Sequence, residues 1–214
     1  MTPDLAPPWL VADLGRPHRV LSWALNRPGF VTAQRIAWRE VRNADLPKHR
    51  DAAAWFVAEI EAAGHTDAVC FLTSRSLRHF VATEASAEGV VARCIATVGL
   101  SNAERVGARR HATAVGTINI AVAVSTPLAD AALIEALSIA AEARTAAVIA
   151  HGPDTPNGRA TGTGTDCIAV AAPPGAALHA GLHTAVGEAL GRAVLDAVAQ
   201  GTQHWMAEQG GTYG

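Results

Sequence analysis

The sequence predicts an α+β fold in one domain, with a mixed or largely antiparallel sheet and helices packed against it. Three observations lead there. Half of the 214 residues are apolar and 17% are charged, enough to bury a sizeable core. Apolar runs of strand length arrive next to one another rather than in strict alternation with helices, which argues against a doubly wound parallel sheet. Three windows carry helical spacing with recognisable caps.

The elements follow in order. Trp9–Leu14, Arg19–Leu25 and Arg35–Val41 read as three strands. Asp45 is placed to cap a helix, with Pro47 in its first turn, Ala52, Phe56 and Ile60 at helical spacing, and Gly64 past its end. Ala68–Leu72 reads as a short buried strand and Ser74–Phe80 as one or two helical turns. Gly89–Leu100 and Thr117–Val124 are further strands, separated by a polar loop that includes Ser101–Gly107. Thr126-Pro127 opens a helix that runs to about Ala150 and stops at Gly152-Pro153. Asp166–Ala172 is another strand, ended by Pro173-Pro174-Gly175. Thr184 caps a last helix with Val186, Leu190, Val194 and Ala197 in one apolar stripe.

Composition narrows the function. The formal net charge is -2 and no Lys/Arg run exists, so a nucleic-acid partner has no electrostatic support. The first fifteen residues hold no Lys or Arg and three prolines, unlike a secretory signal, and no stretch has the sustained apolarity of a membrane span. Cys70, Cys94 and Cys167 are far apart and odd in number, which fits a reducing cytoplasmic setting. Much of the apolar content is Ala and Val, which favours tight packing over a large aromatic pocket.

Four segments carry residues that ordinary secondary structure does not require. Ala96-Thr97-Val98-Gly99-Leu100-Ser101-Asn102-Ala103 runs a strand into a small-residue loop ending in an amide. Gly116-Thr117-Ile118-Asn119-Ile120 opens an apolar strand with polar residues. Ala160-Thr161-Gly162-Thr163-Gly164-Thr165-Asp166 leaves backbone N–H groups and hydroxyls accessible, with a carboxylate at the strand mouth. His179 to Glu188 is a loop entering a helix N-terminus. The glycine–threonine segment is not a phosphate-binding loop of the Walker type, because no Gly-Lys-Ser/Thr follows.

The strings TVGLSNA, GTINI, ATGTGTD and AGLHTAVGE, in this order, resemble the signature blocks of the adenosylcobinamide amidohydrolases. Ala141-Glu142-Ala143-Arg144-Thr145 is similar to a Glu-Ala-Lys-Thr block of that family, with Arg144 in place of lysine. The strong resemblance covers about Ala96 to Val198. The N-terminal third lacks the glycine-rich stretch expected after its second strand. The resemblance implies hydrolysis of the amide that joins a propionyl side chain of the corrin ring to aminopropanol, giving adenosylcobyric acid for cobamide synthesis. It implies a small-molecule corrinoid as substrate and no required cofactor. It leaves open whether the chain forms a homo-oligomer.

An amide is inert enough that its hydrolysis needs an activated nucleophile and a stabilised oxyanion. Asp166 is the leading candidate for general base, set against a turn or cap carboxylate. Glu142 is the candidate second carboxylate, set against a solvated helix face shared with Glu135 and Ser138. Asn102 and Asn119 are candidates to hold an oxyanion or a substrate amide. Thr117, Thr163 and Thr165 are candidate nucleophiles or donors, with Thr161, Gly162 and Gly164 completing the loop that lines the site. His183 and Glu188 are candidate substrate contacts. His179 and His183 stand four apart, but their loop setting argues against a zinc site, and no metal is assigned. Attack by water and a threonine acyl-enzyme both stay open. So do a non-catalytic corrinoid-binding protein and an amidohydrolase acting on a complete cobamide or another amide.

Overall fold

A computed structural model describes residues 1–42, 44–47, 51–108 and 115–209. The strands are β1 (Thr2–Ala6), β2 (Trp9–Ser22), β3 (Gly29–Glu40), β4 (Val69–Thr73), β5 (Val81–Ala87), β6 (Val90–Val98), β7 (Ala103–Glu104), β8 (Ile118–Val124), β9 (Asp154–Thr155), β10 (Gly158–Arg159), β11 (Gly162–Thr163) and β12 (Cys167–Ala172). The helices are α1 (Ala52–Ala62), α2 (Asp130–His151) and α3 (Ala185–Gln209), with a single 3-10 turn at Leu77–His79.

Eight strands make one sheet in the order β4-β3-β2-β12-β8-β6-β5, with β1 also paired to β2. β3 with β4 and β12 with β8 are parallel, and the other pairs are antiparallel, so the α+β mixed sheet expected from the sequence is the observed one.

Two N-terminal runs read separately are one strand. The register between β2 and β3 shifts between Asp13 and His18, where Gly15 takes a φ of 79° and its N–H is held by Asp13 Oδ1 at 2.7 Å. Gly15 and Pro17 break the sequence pattern, but a bulge absorbs them without ending the strand. β5 was missed because Val81-Ala82-Thr83-Glu84-Ala85-Ser86-Ala87 alternates only weakly in hydropathy. Its turn into β6 is Glu88-Gly89, both with positive φ, as a two-residue hairpin of matching twist requires. Asp45 does not cap α1 at its described start. That helix begins at Ala52, and Asp51 Oδ1 accepts from the N–H groups of Ala53 and Ala54; residues 48–50 of the expected helix lie outside the described residues.

Side chains alternate across the sheet. Ile118, Ile120 and Val122 of β8 and Ile168 and Val170 of β12 pack with Leu133, Ala136 and Ala140 of α2 and Leu190, Val194 and Ala197 of α3. The alanines let these helices lie close to the strands. On the other face Leu10, Val20, Ile36, Val69, Ile95, Ala121 and Ala169 form a second core, with Trp38 edge-on to Phe71 at 5.1 Å. In the sheet order β4 and β8 are separated by three strands, which would hold them roughly 19 Å apart if flat. Yet Asn119 Nδ2 donates to the Leu72 carbonyl at 2.9 Å. The sheet therefore curls, and a cleft opens where β4 comes up against β8.

Candidate active site

The cleft has a volume of about 490 Å³. Its floor is polar and comes from the starts of β8 and β12: Gly116, Thr117, Asn119, Gly164, Thr165 and Asp166. One wall is the end of β4, Cys70 to Thr73, with Ser74. Trp23 and Leu25, just after β2, and Val115 stand at the mouth, and all three are exposed.

Asp166 organises the floor. Its Oδ1 accepts from Ile118 N–H at 3.0 Å and from the Thr163 hydroxyl at 2.5 Å. Its Oδ2 accepts from Thr163 N–H at 3.0 Å and pairs with the Arg144 guanidinium. The side chains of this pair are only 7% and 17% exposed, so the ion pair is buried. Four donors fill the two oxygens, so a general base at Asp166 must first release one of them. The partner that can leave is the Thr163 hydroxyl, because it has a second acceptor in the Gly116 carbonyl at 3.5 Å.

Glycine is needed beneath this pair. A Cβ at Gly162 would stand 2.6 Å from Asp166 Oδ2 and would clash with the Arg144 guanidinium. Gly164 has open space around it and lines the cleft. The rest of the loop is braced: Thr161 Oγ1 accepts from Val106 N–H at 2.8 Å, β11 pairs with β7, and the Thr165 hydroxyl donates to the Gly116 carbonyl at 2.7 Å. Gly116 is also close-packed, since a Cβ there would meet Asn102 Oδ1 and the Gly99 carbonyl at 2.8 Å.

Thr117 and Asn119 lie on the strand face opposite α2 and α3, as their odd positions require. The Thr117 hydroxyl donates to the Thr165 carbonyl at 2.8 Å and approaches Asn119 Oδ1 at 3.2 Å. Neither neighbour takes a proton, so among the described residues Thr117 lacks the adjacent base that a threonine nucleophile needs. Asn119 spends one end on Thr117 and the other on β4, and braces the floor. Asn102 is buried behind Gly116 rather than on the cleft wall, and its Oδ1 has no hydrogen-bond partner among the described residues.

Three further expected site residues are placed elsewhere. Glu142 is exposed on α2 and does not line the cleft; the neighbouring Arg144 is the α2 residue that turns inward. His183 and Glu188 are exposed where the chain has passed β12 and enters α3. Neither lines the cleft. Their loop serves the fold: Glu135 Oε2 accepts from Ala180 N–H at 2.6 Å, and Thr184 caps α3 through Gly187 N–H at 3.0 Å. Arg192 pairs with Asp196 at 2.7 Å, not with Glu188. Among the described residues no group of three or more His, Cys, Asp or Glu is placed to hold a metal ion.

Sequence reasoning missed Trp23, Leu25 and the role of Arg144. The Trp23 indole N–H donates to the Asp166 carbonyl at 2.8 Å, a contact between residues 143 apart that no local pattern announces. Arg144 carried a signal in its motif block, but the partner it meets is on another element. Two thiols also line the cleft. Burial pushes Cys70 up to about 12 and Cys167 up to about 11, so neither is a thiolate nucleophile near neutral pH.

No helix among the described residues is long and apolar enough to cross a membrane. A comparison with curated proteins finds no match. A comparison with protein families finds one whose model, described as adenosylcobinamide amidohydrolase, matches residues 3–210. The match takes in the N-terminal third, beyond the segment from Ala96 to Val198 where the motif strings lie. The chain, nearly from end to end, belongs to the adenosylcobinamide amidohydrolase family.

Proposed function

We propose that this protein hydrolyses the amide between the corrin propionyl side chain and aminopropanol in adenosylcobinamide, releasing adenosylcobyric acid and aminopropanol in corrinoid salvage. The observation that carries this reading is the cleft, with a polar floor of amide- and hydroxyl-bearing residues under an exposed apolar mouth. A corrinoid is far larger than 490 Å³. The cleft suits its amide side chain and one edge of the ring, with the rest outside.

Water is the nucleophile in this proposal, and Asp166 is the base. The Thr163 hydroxyl turns from Asp166 Oδ1 to the Gly116 carbonyl, and a water takes its place. As the water oxygen attacks the amide carbon, Asp166 takes its proton and Arg144 holds the other carboxylate oxygen in place. The C–N bond then breaks, the proton on Asp166 passes to the departing nitrogen, and the carboxylic acid left on the macrocycle gives up its own proton to the released amine or to solvent water. Thr117 and Asn119 position the floor.

Incubation of the purified protein with adenosylcobinamide and separation of the corrinoids tests this. Adenosylcobyric acid with released aminopropanol is the expected result. A shift in the corrin absorbance without product would instead favour a corrinoid-binding protein, a reading consistent with the fully occupied Asp166 carboxylate.

A further inference from the structure

The molecule exposes a strip of large apolar side chains at one functional edge. Trp23 is 46%, Leu25 67% and Val115 69% exposed, and all three line the cleft mouth. Exposed apolar side chains gathered at the mouth of a cleft with a polar floor mark a ligand surface better than the same residues scattered singly. Trp23 is also fixed in orientation. Its indole N–H is held at 2.8 Å by the main-chain carbonyl of Asp166, the residue whose side chain orders the floor. A pinned indole with an accessible face loses little freedom when it takes up a ligand.

We infer that Trp23, supported by Leu25 and Val115, is the specificity-determining surface of this site: it packs against an apolar face of the corrin macrocycle and thereby delivers the side-chain amide to Asp166. The inference rests on the proposed amide hydrolysis and adds to it what selects the substrate. The polar floor recognises only an amide, which many molecules carry. The Trp23 wall supplies the discrimination, and it does so by binding that is felt equally in the ground and transition states.

The test compares wild type, Trp23→Ala and Trp23→Phe on two substrates: adenosylcobinamide and N-(2-hydroxypropyl)propanamide, which keeps the scissile amide and lacks the macrocycle. Thermal unfolding of each variant confirms that it is folded. For adenosylcobinamide, W23A is expected to raise KM at least tenfold with kcat within about threefold, and W23F, which keeps an aromatic face and loses the bond that pins it, to raise KM by clearly less than W23A. For the short amide, all three proteins are expected to share one low kcat/KM. A KM for adenosylcobinamide unmoved in W23A overturns the inference. So does a W23F as impaired as W23A, because the aromatic face would then contribute nothing. A wild type that neither binds nor cleaves adenosylcobinamide overturns the proposed function itself, and this inference with it.

Discussion

Asp166 and Arg144 meet in a space that exists because residue 162 has no side chain. The carboxylate lies 2.6 Å from where a Gly162 Cβ would be, and the guanidinium lies closer still. Both groups are buried, on elements 22 residues apart in sequence, and the glycine–threonine loop is folded around their junction.

The Gly162→Ala variant is therefore expected to push the pair apart. Overpacking at a tight site costs about 1–3 kcal/mol. Urea unfolding is expected to show a loss in that range, with amide hydrolysis reduced at least tenfold. A variant as stable and active as wild type would show that the loop tolerates the methyl by moving.

Removing Arg144 leaves a buried carboxylate without its cation. Breaking such a pair costs roughly 3–5 kcal/mol. Arg144→Ala is expected to unfold at much lower urea, whereas Arg144→Lys, which keeps the charge and loses the fork, is expected to recover most of the stability. Equal losses in the two variants would mean that the guanidinium packs rather than pairs.

Glu142 and His183 are exposed and stand outside the cleft. Glu142→Gln and His183→Ala are expected to leave kcat and KM within about twofold of wild type, as surface substitutions usually do. A tenfold fall in kcat for E142Q would restore it as a second catalytic carboxylate.

Burial raises the thiol of Cys167 to about 11 and that of Cys70 to about 12, from an ordinary 9.0. Between pH 9 and 11 the unfolded chain loses these protons and the folded chain keeps them. Stability is thus full below pH 9 and falls as pH rises. The Tm is expected to drop across that window, and Cys167→Ala is expected to flatten part of the drop. The same burial predicts slow labelling of these thiols by iodoacetamide at pH 8 until urea unfolds the chain.

Much of the fold was legible because its strands carry strong apolar runs. Gly89–Leu100, Thr117–Val124 and Asp166–Ala172 were placed within two residues of β6, β8 and β12. The errors arose where local signals conflict with pairing: Gly15 and Pro17 punctuate a strand that a bulge carries through, and β5 is too weakly apolar to announce itself. The floor was legible in two pieces, Thr117 with Asn119 in one motif string and the loop up to Asp166 in another, which the parallel pairing of β8 with β12 joins. The mouth was not. Trp23 reaches Asp166 because β2 and β12 pair as neighbours, and a pairing between strands so distant in the chain has no imprint in local spacing. His183 and Glu188 looked functional because a glycine-rich loop entering a helix resembles a ligand site, but here that loop is anchored to Glu135.

The most direct test of the account is the yield of adenosylcobyric acid from adenosylcobinamide, compared among wild type, Asp166→Asn and Thr163→Val. Asp166 as base, freed when Thr163 turns away, predicts a fall of at least about 10²-fold in D166N. The same account predicts that T163V, whose Oδ1 neighbour is already gone, stays within about fivefold of wild type. A D166N protein that still releases aminopropanol at the wild-type rate would contradict it.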